Sequence, residues 1–114
     1  MNEKIYKIVT QDEWDEAVTT GIFKGAPIDL EDGYIHFSTA EQVEETAAKH
    51  FHGRKNLLLI TADSNEFGDA LKWEPSRGGN LFPHLYASLR TDQATQVSVL
   101  VDQPDGSHIF PENF

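Results

Sequence analysis

The chain has 114 residues, 19 acidic against 9 basic side chains, five histidines and no cysteine, for a formal net charge of −10. That length suits one domain able to bury a core, and a hydrophobic fraction of 39% is too apolar for a disordered chain. Lacking cysteine, the protein has no disulfide, thiolate nucleophile or cysteine zinc site, and its charge argues against affinity built on nucleic-acid phosphates or anionic membranes.

The opening "MNEKIYKIV" holds no long apolar segment, so no secretory signal is expected and a cytoplasmic protein is the default. No run approaches the ~20 apolar residues of a membrane helix. Lys4 to Val9 reads as a β-strand. Thr10 to Glu13, "TQDE", has the capping-box pattern. A helix then runs to about Thr20, with Trp14, Ala17 and Val18 on one face, and Gly21 stops it. Residues 22–32, with Gly25, Pro27 and Asp32, read as an exposed loop.

"GYIHFS", Gly33 to Ser38, is the second strand. Its alternation sends Ile35 and Phe37 to a core and leaves Tyr34, His36 and Ser38 on the opposite face. A helix is expected from about Ala40 to His52, with Val43, Ala47 and Phe51 at helical spacing and Gly53 at its end. Asn56 to Ala62, "NLLLITA", is apolar throughout, as in a strand covered on both faces. Asp69 to Glu74 alternates again, Lys72 and Glu74 opposite Leu71 and Trp73. "PSRGGN" is a turn, "LFPHLY" is extended around Pro83, and Thr95 to Val101 is the last clear strand. The tail, 102–114, adds an edge hairpin or frays. Helices come early and strands late, without regular βα alternation. The expectation is a single α+β domain over 1–114, core about 4–101, with a mixed, mostly antiparallel sheet and two main helices.

If the strands are neighbours, their polar faces bring Lys7, His36, Ser38 and Glu74 into one cleft. His36 is the sharpest candidate, as hydrogen-bond donor, ligand contact or general base; the plain alternative is a histidine satisfied by backbone or a carboxylate. Ser38 and Thr39 each begin a capping-box pattern, "STAE" and "TAEQ", and one helix start needs only one of them. Glu74, beside Trp73, is expected in a partly apolar setting with a raised pKa, or else paired with Lys72 or Arg77. His84, stiffened by Pro83, shares a strand face with Tyr86, or simply anchors a loop. His50 and His52 are two apart and face away from each other on a helix. No HExxH or GxSxG occurs, so no metal site or serine-hydrolase elbow is expected. "SRGGN" lacks the lysine of a phosphate loop.

Taken together, "IYKI", "GYIHFSTAEQV" and "LKWEPSRGGNLFPHLYASL" resemble small bacterial proteins grouped as domain of unknown function 952, over about Ile5 to Val101. That group is remotely similar to the ADP-ribosyltransferase-like fold, a split mixed sheet with an NAD cleft. The resemblance implies three strand-borne elements: Lys7 at the first, the stretch His36-Phe37-Ser38-Thr39 at the second, and Glu74 as candidate for the third. Two departures are visible. The first strand has no arginine or histidine, and Ser38-Thr39 stands where active members carry Ser-Thr-Ser. The implied chemistry is cleavage of the nicotinamide–ribose bond of NAD, as substrate rather than resident cofactor. A carboxylate would stabilise the oxocarbenium-like state. His36 and Glu74 are then the catalytic candidates, with Lys7, Ser38, Thr39, His84 and Tyr86 binding ligand. A second reading keeps the fold as a non-catalytic small-ligand or protein-interaction module. A third makes His36 a core histidine and the hydroxyls caps. The expected partner is a small molecule, on a monomer or weak dimer, without nucleic acid or membrane.

Overall fold

A computed structural model describes residues 3–76, 79–112 and 114. The first strand, β1 (Lys4–Thr10), is buried over Ile5 to Val9. Its alternation feeds two cores. Ile5 and Val9 enter one cluster with Phe23, Ile35, Phe37 and Leu85, while Tyr6 and Ile8 enter a second with Val43, Ala47 and Leu100. The fourth strand behaves alike: Leu58 and Ile60 face the first cluster, Leu57 and Leu59 the second. Covered on both faces, such strands lose the polar alternation of a half-solvated sheet, and each fully buried leucine or isoleucine contributes about 1.5–3 kcal/mol.

Helix α1 (Gln11–Thr20) starts at a complete capping box. The Glu13 amide donates to Thr10 Oγ1 at 3.0 Å, and the Thr10 amide donates to Glu13 Oε1 at 2.8 Å. It ends at Gly21, whose φ of 86° is left-handed. Trp14 and Ala17 are buried, but Val18 points out and is 57% exposed. The segment expected as an exposed loop instead holds strand β2 (Ile22–Phe23) and helix α2 (Pro27–Asp32). Next come β3 (Ile35–His36) and α3 (Val43–His50), the latter shorter at both ends than its periodicity predicted. The remaining strands are β4 (Leu57–Asp63), β5 (Leu71–Pro75), β6 (Leu81–Leu85), β7 (Leu89–Arg90), β8 (Ala94–Asp102) and β9 (His108–Ile109).

The sheet runs β1-β4-β8-β9, all neighbours antiparallel. A second antiparallel group, β3-β6-β5, joins it where Tyr6 and Ser38 exchange two backbone hydrogen bonds of 2.8 Å. β2 and β7 pair separately. The result is one compact α+β domain with a curled antiparallel sheet, two main helices and the short α2. The tail forms the β8–β9 hairpin and packs inward: the Phe114 ring meets Tyr6 edge-on at 5.4 Å. No described helix is long and apolar enough to cross a membrane.

Candidate functional site

Strand pairing assembles the site. His36 on β3 lies opposite His84 on β6, and His84 lies opposite Lys72 on β5. Directly opposed residues share a sheet face, so Tyr34, His36, His84, Tyr86 and Glu74 gather on one side. The Tyr34 ring stacks on His84 with centroids 4.2 Å apart and planes at 27°. It also lies 4.6 Å from His36 and 5.1 Å from Tyr86. Glu74 Oε1 accepts from the Tyr86 hydroxyl at 2.7 Å and faces His84 Nδ1 at 2.9 Å. His84 is buried, whereas Glu74 is 35% exposed and Tyr86 43% exposed. The aromatic face therefore opens to solvent at its Glu74–Tyr86 end.

The Glu74 carboxyl is held below its usual range, chiefly by the hydrogen bonds from Tyr86 and His84. This corrects the expectation of a raised value. Trp73 points to the other face of β5, so it gives Glu74 no apolar wall, while two donors favour the ionised form. The same bond pushes the Tyr86 phenol up to about 12.

Lys7 does not reach Glu74. Its ammonium, 6% exposed, is 2.9 Å from both carboxylate oxygens of Asp29, itself 1% exposed. Asp29 is the third residue of α2. It accepts from the Ala26 amide at 2.8 Å and the His36 amide at 3.1 Å, and its Oδ1 is 2.6 Å from His36 Nδ1. Burial alone would raise its carboxyl, but the His36 bond, the Lys7 charge and the Ala26 amide outweigh that and hold it down at about 2. Burial pulls the Lys7 ammonium below its usual range, against the attraction of Asp29. On the far side of the imidazole, His36 Nε2 is 2.9 Å from Asp32. His36 is thus clamped between two carboxylates, one buried and one half-exposed. The loop before α2 lies so close that a Cβ at Gly25, where φ is +130°, would sit 2.8 Å from the Asp29 Cβ.

The expected single cleft of Lys7, His36, Ser38 and Glu74 is therefore two networks side by side. Lys7 and His36 meet on Asp29, while Glu74, His84 and Tyr86 form the other, with Tyr34 between His36 and His84. Ser38 and Thr39 join neither. Ser38 Oγ lies 3.0 Å from Thr46 Oγ1 on α3, and the Thr39 amide donates to Gln42 Oε1. They tie the strand to the helix entry. Asp29 was missed, although "APIDLEDG" carries its signal: proline at a first helical position and glycine just past the last turn. A recess of about 220 Å³ lies against this site, lined by Lys24, Asp29, Leu30, Tyr34 and Leu85 among others. A larger one, about 420 Å³, lies at the β8–β9 hairpin and touches none of these side chains. The smaller recess shares Asp29 and Tyr34 with the two networks.

Residues 8–97 match the family described as "Protein of unknown function (DUF952)". The chain belongs to this family. A crystal structure of protein CC0527 from Caulobacter crescentus is 46% identical, with 93% of each chain covered and a TM-score of 0.90. A solution NMR structure of the same protein is 48% identical over 90% of this chain and 89% of that one, with a TM-score of 0.82. No curated protein matches. An ADP-ribosyltransferase likeness is not among these findings.

In this DUF952 member the arrangement has a definite chemical character. A fixed, ionised carboxylate stands at the edge of stacked rings, open to solvent, and a neighbouring imidazole is oriented by a buried aspartate. Aromatic faces and carboxylates attract cations, and a preorganised anion stabilises positive charge developing beside it. Lys7 is committed to Asp29, so it offers no free cation to a phosphate.

Proposed function

We propose that the Tyr34–His36–His84–Tyr86 face binds a planar, positively charged small molecule, of which the nicotinamide–ribose end of NAD is the leading case. Glu74 then stabilises the oxocarbenium-like charge as the nicotinamide bond weakens. The observation that carries this reading is the doubly hydrogen-bonded Glu74 carboxylate beside the ring stack. A pyridinium stacks on tyrosine and imidazole rings, and a carboxylate kept ionised suits charge stabilisation rather than proton abstraction. His36, held by Asp29 and Asp32, orients the ribose hydroxyls in this scheme. The two departures from the transferase pattern lie at Lys7 and at Ser38-Thr39, both outside the ring stack.

An isotope-labelled NMR titration with NAD, ADP-ribose and nicotinamide tests the reading. Shifts clustered on Tyr34, His36, Glu74, His84 and Tyr86 with NAD, and lost in Glu74→Gln, are the expected result. No shift at millimolar NAD, or shifts centred on the larger recess at the β8–β9 hairpin, which Arg54 and Lys55 line, would overturn it.

A further inference from the structure

The curled sheet has two outer edges, and they are built differently. At one, β5 carries Lys72, Glu74 and Pro75. Charge and proline are the usual guards of an exposed strand edge, because they block pairing with another chain. At the other, β8 pairs with β4 along one side, and on its outer side β9 covers only Val101 and Asp102. Residues 94–100 present an outer edge to which no described strand pairs. This is the longest strand of the described fold, and from Gln93 to Val101 it has no charge, no proline and no glycine. Its side chains add to the exposure. Val97 and Val99 lie opposite Ile60 and Leu58, on the face of the first core cluster. The cover of that core stops short of them: Val97 is 45% exposed, Val99 63%, Val101 52% and Ile109 50%. An apolar stripe thus borders a backbone edge that, beyond a bulge at Thr95, neither charge nor proline guards.

We propose that β8 is a self-association edge that takes a second copy of this chain in antiparallel pairing, extending the sheet across a two-fold axis. Three features select a second copy over another partner. An antiparallel edge is its own complement, since a two-fold operation brings the same donors and acceptors face to face. With the axis near Val97 the partner's residues 94–100 stay clear of β9, and Val97 meets its own counterpart while Thr95, the extra residue of the bulge, comes beside Val99. Those are the β-branched pairs that stabilise adjoining strands. Finally, two molecules each of net charge −10 repel nearly everywhere, so copies meet most easily where charge is absent. A cationic partner would be drawn to the acidic surface rather than to this uncharged strand. Because each copy carries a net charge of −10, screening their repulsion strengthens the contact with salt.

Sedimentation equilibrium between about 10 µM and about 1 mM, the span for a weak interface, tests the proposal at low and high salt. The expected average mass climbs toward twice the monomer, further at high salt. Val99→Lys and, separately, Val97→Lys should stay monomeric throughout, with circular dichroism confirming the fold; Leu30→Lys, equally exposed but off the stripe, should associate like the parent. A parent monomeric at every concentration, β8 variants that dimerise undiminished, or growth past the dimer would each overturn it.

Discussion

Two carboxylates anchor this molecule's polar interior, and they differ in what surrounds them. Asp29 is sealed, with a lysine, a histidine and two backbone amides filling its lone pairs. Glu74 also binds a histidine and holds its proton loosely, but its partners leave it facing water. Equal chemistry at different depth gives unequal roles. A buried, saturated carboxylate fixes where α2, β1 and β3 meet. A half-open one is positioned by its two donors yet keeps part of its surface in water, which is what the proposed role of Glu74 requires. A carboxylate's strength as an acceptor therefore says little about function until its solvent access is known.

The sharpest way to break the comparison is to remove each carboxylate. Asp29→Ala leaves the Lys7 ammonium buried without its partner, and breaking such a pair costs about 3–5 kcal/mol. Denaturant unfolding should show that loss, and a far smaller one for Glu74→Ala. If the two variants lost similar stability, the division into a structural and a ligand-facing carboxylate would fail.

Acid provides the next effect. The Asp29 carboxyl lies near 2 in the folded protein against its ordinary 3.8. Its stabilisation is complete above the ordinary value and disappears as pH falls from about 4 to about 2, a loss of about 2 kcal/mol. Asp29→Asn should flatten that limb of the stability–pH curve. An unchanged slope in the variant would assign acid sensitivity to other carboxylates.

The smallest effect sharpens the other side. Glu74→Gln weakens the hydrogen bond that chiefly raises the Tyr86 phenol and removes the neighbouring charge that adds to it. The Tyr86 titration should fall from about 12 toward its ordinary 10.0, read as phenolate absorbance or ring NMR shifts, with little change in unfolding. A phenol that stayed high would mean that something other than Glu74 holds its proton.

Local rules made much of this legible. Thr10 and Glu13 announced α1, "NLLLITA" announced a strand covered on both faces, and alternation within each strand put Tyr34 with His36, Lys72 with Glu74 and His84 with Tyr86 before the strands were paired. The sequence could not say which neighbours those faces would meet. Lys7 was expected in one cleft with His36, Ser38 and Glu74 because all lie on strands, yet the residue that reaches it sits on a six-residue helix. That helix hid behind Gly25, Pro27 and Asp32, read as marks of a loop although Pro27 and Asp32 are its two ends. Ser38 lies apart from the ring stack because its strand leaves β6 to meet Tyr6, carrying the hydroxyl to Thr46 on α3.

Gly25 has a consequence for how variation in this chain would be read. It touches no ring of the site and holds no proton, but no side chain fits between its backbone and Asp29. A substitution there displaces Asp29, which frees the imidazole of His36 and strands the lysine on the neighbouring strand. In a saturation screen, Gly25 would thus group with the titratable residues rather than with the loop in which it lies. A bare α-carbon is, in effect, one wall of the Lys7–Asp29–His36 network.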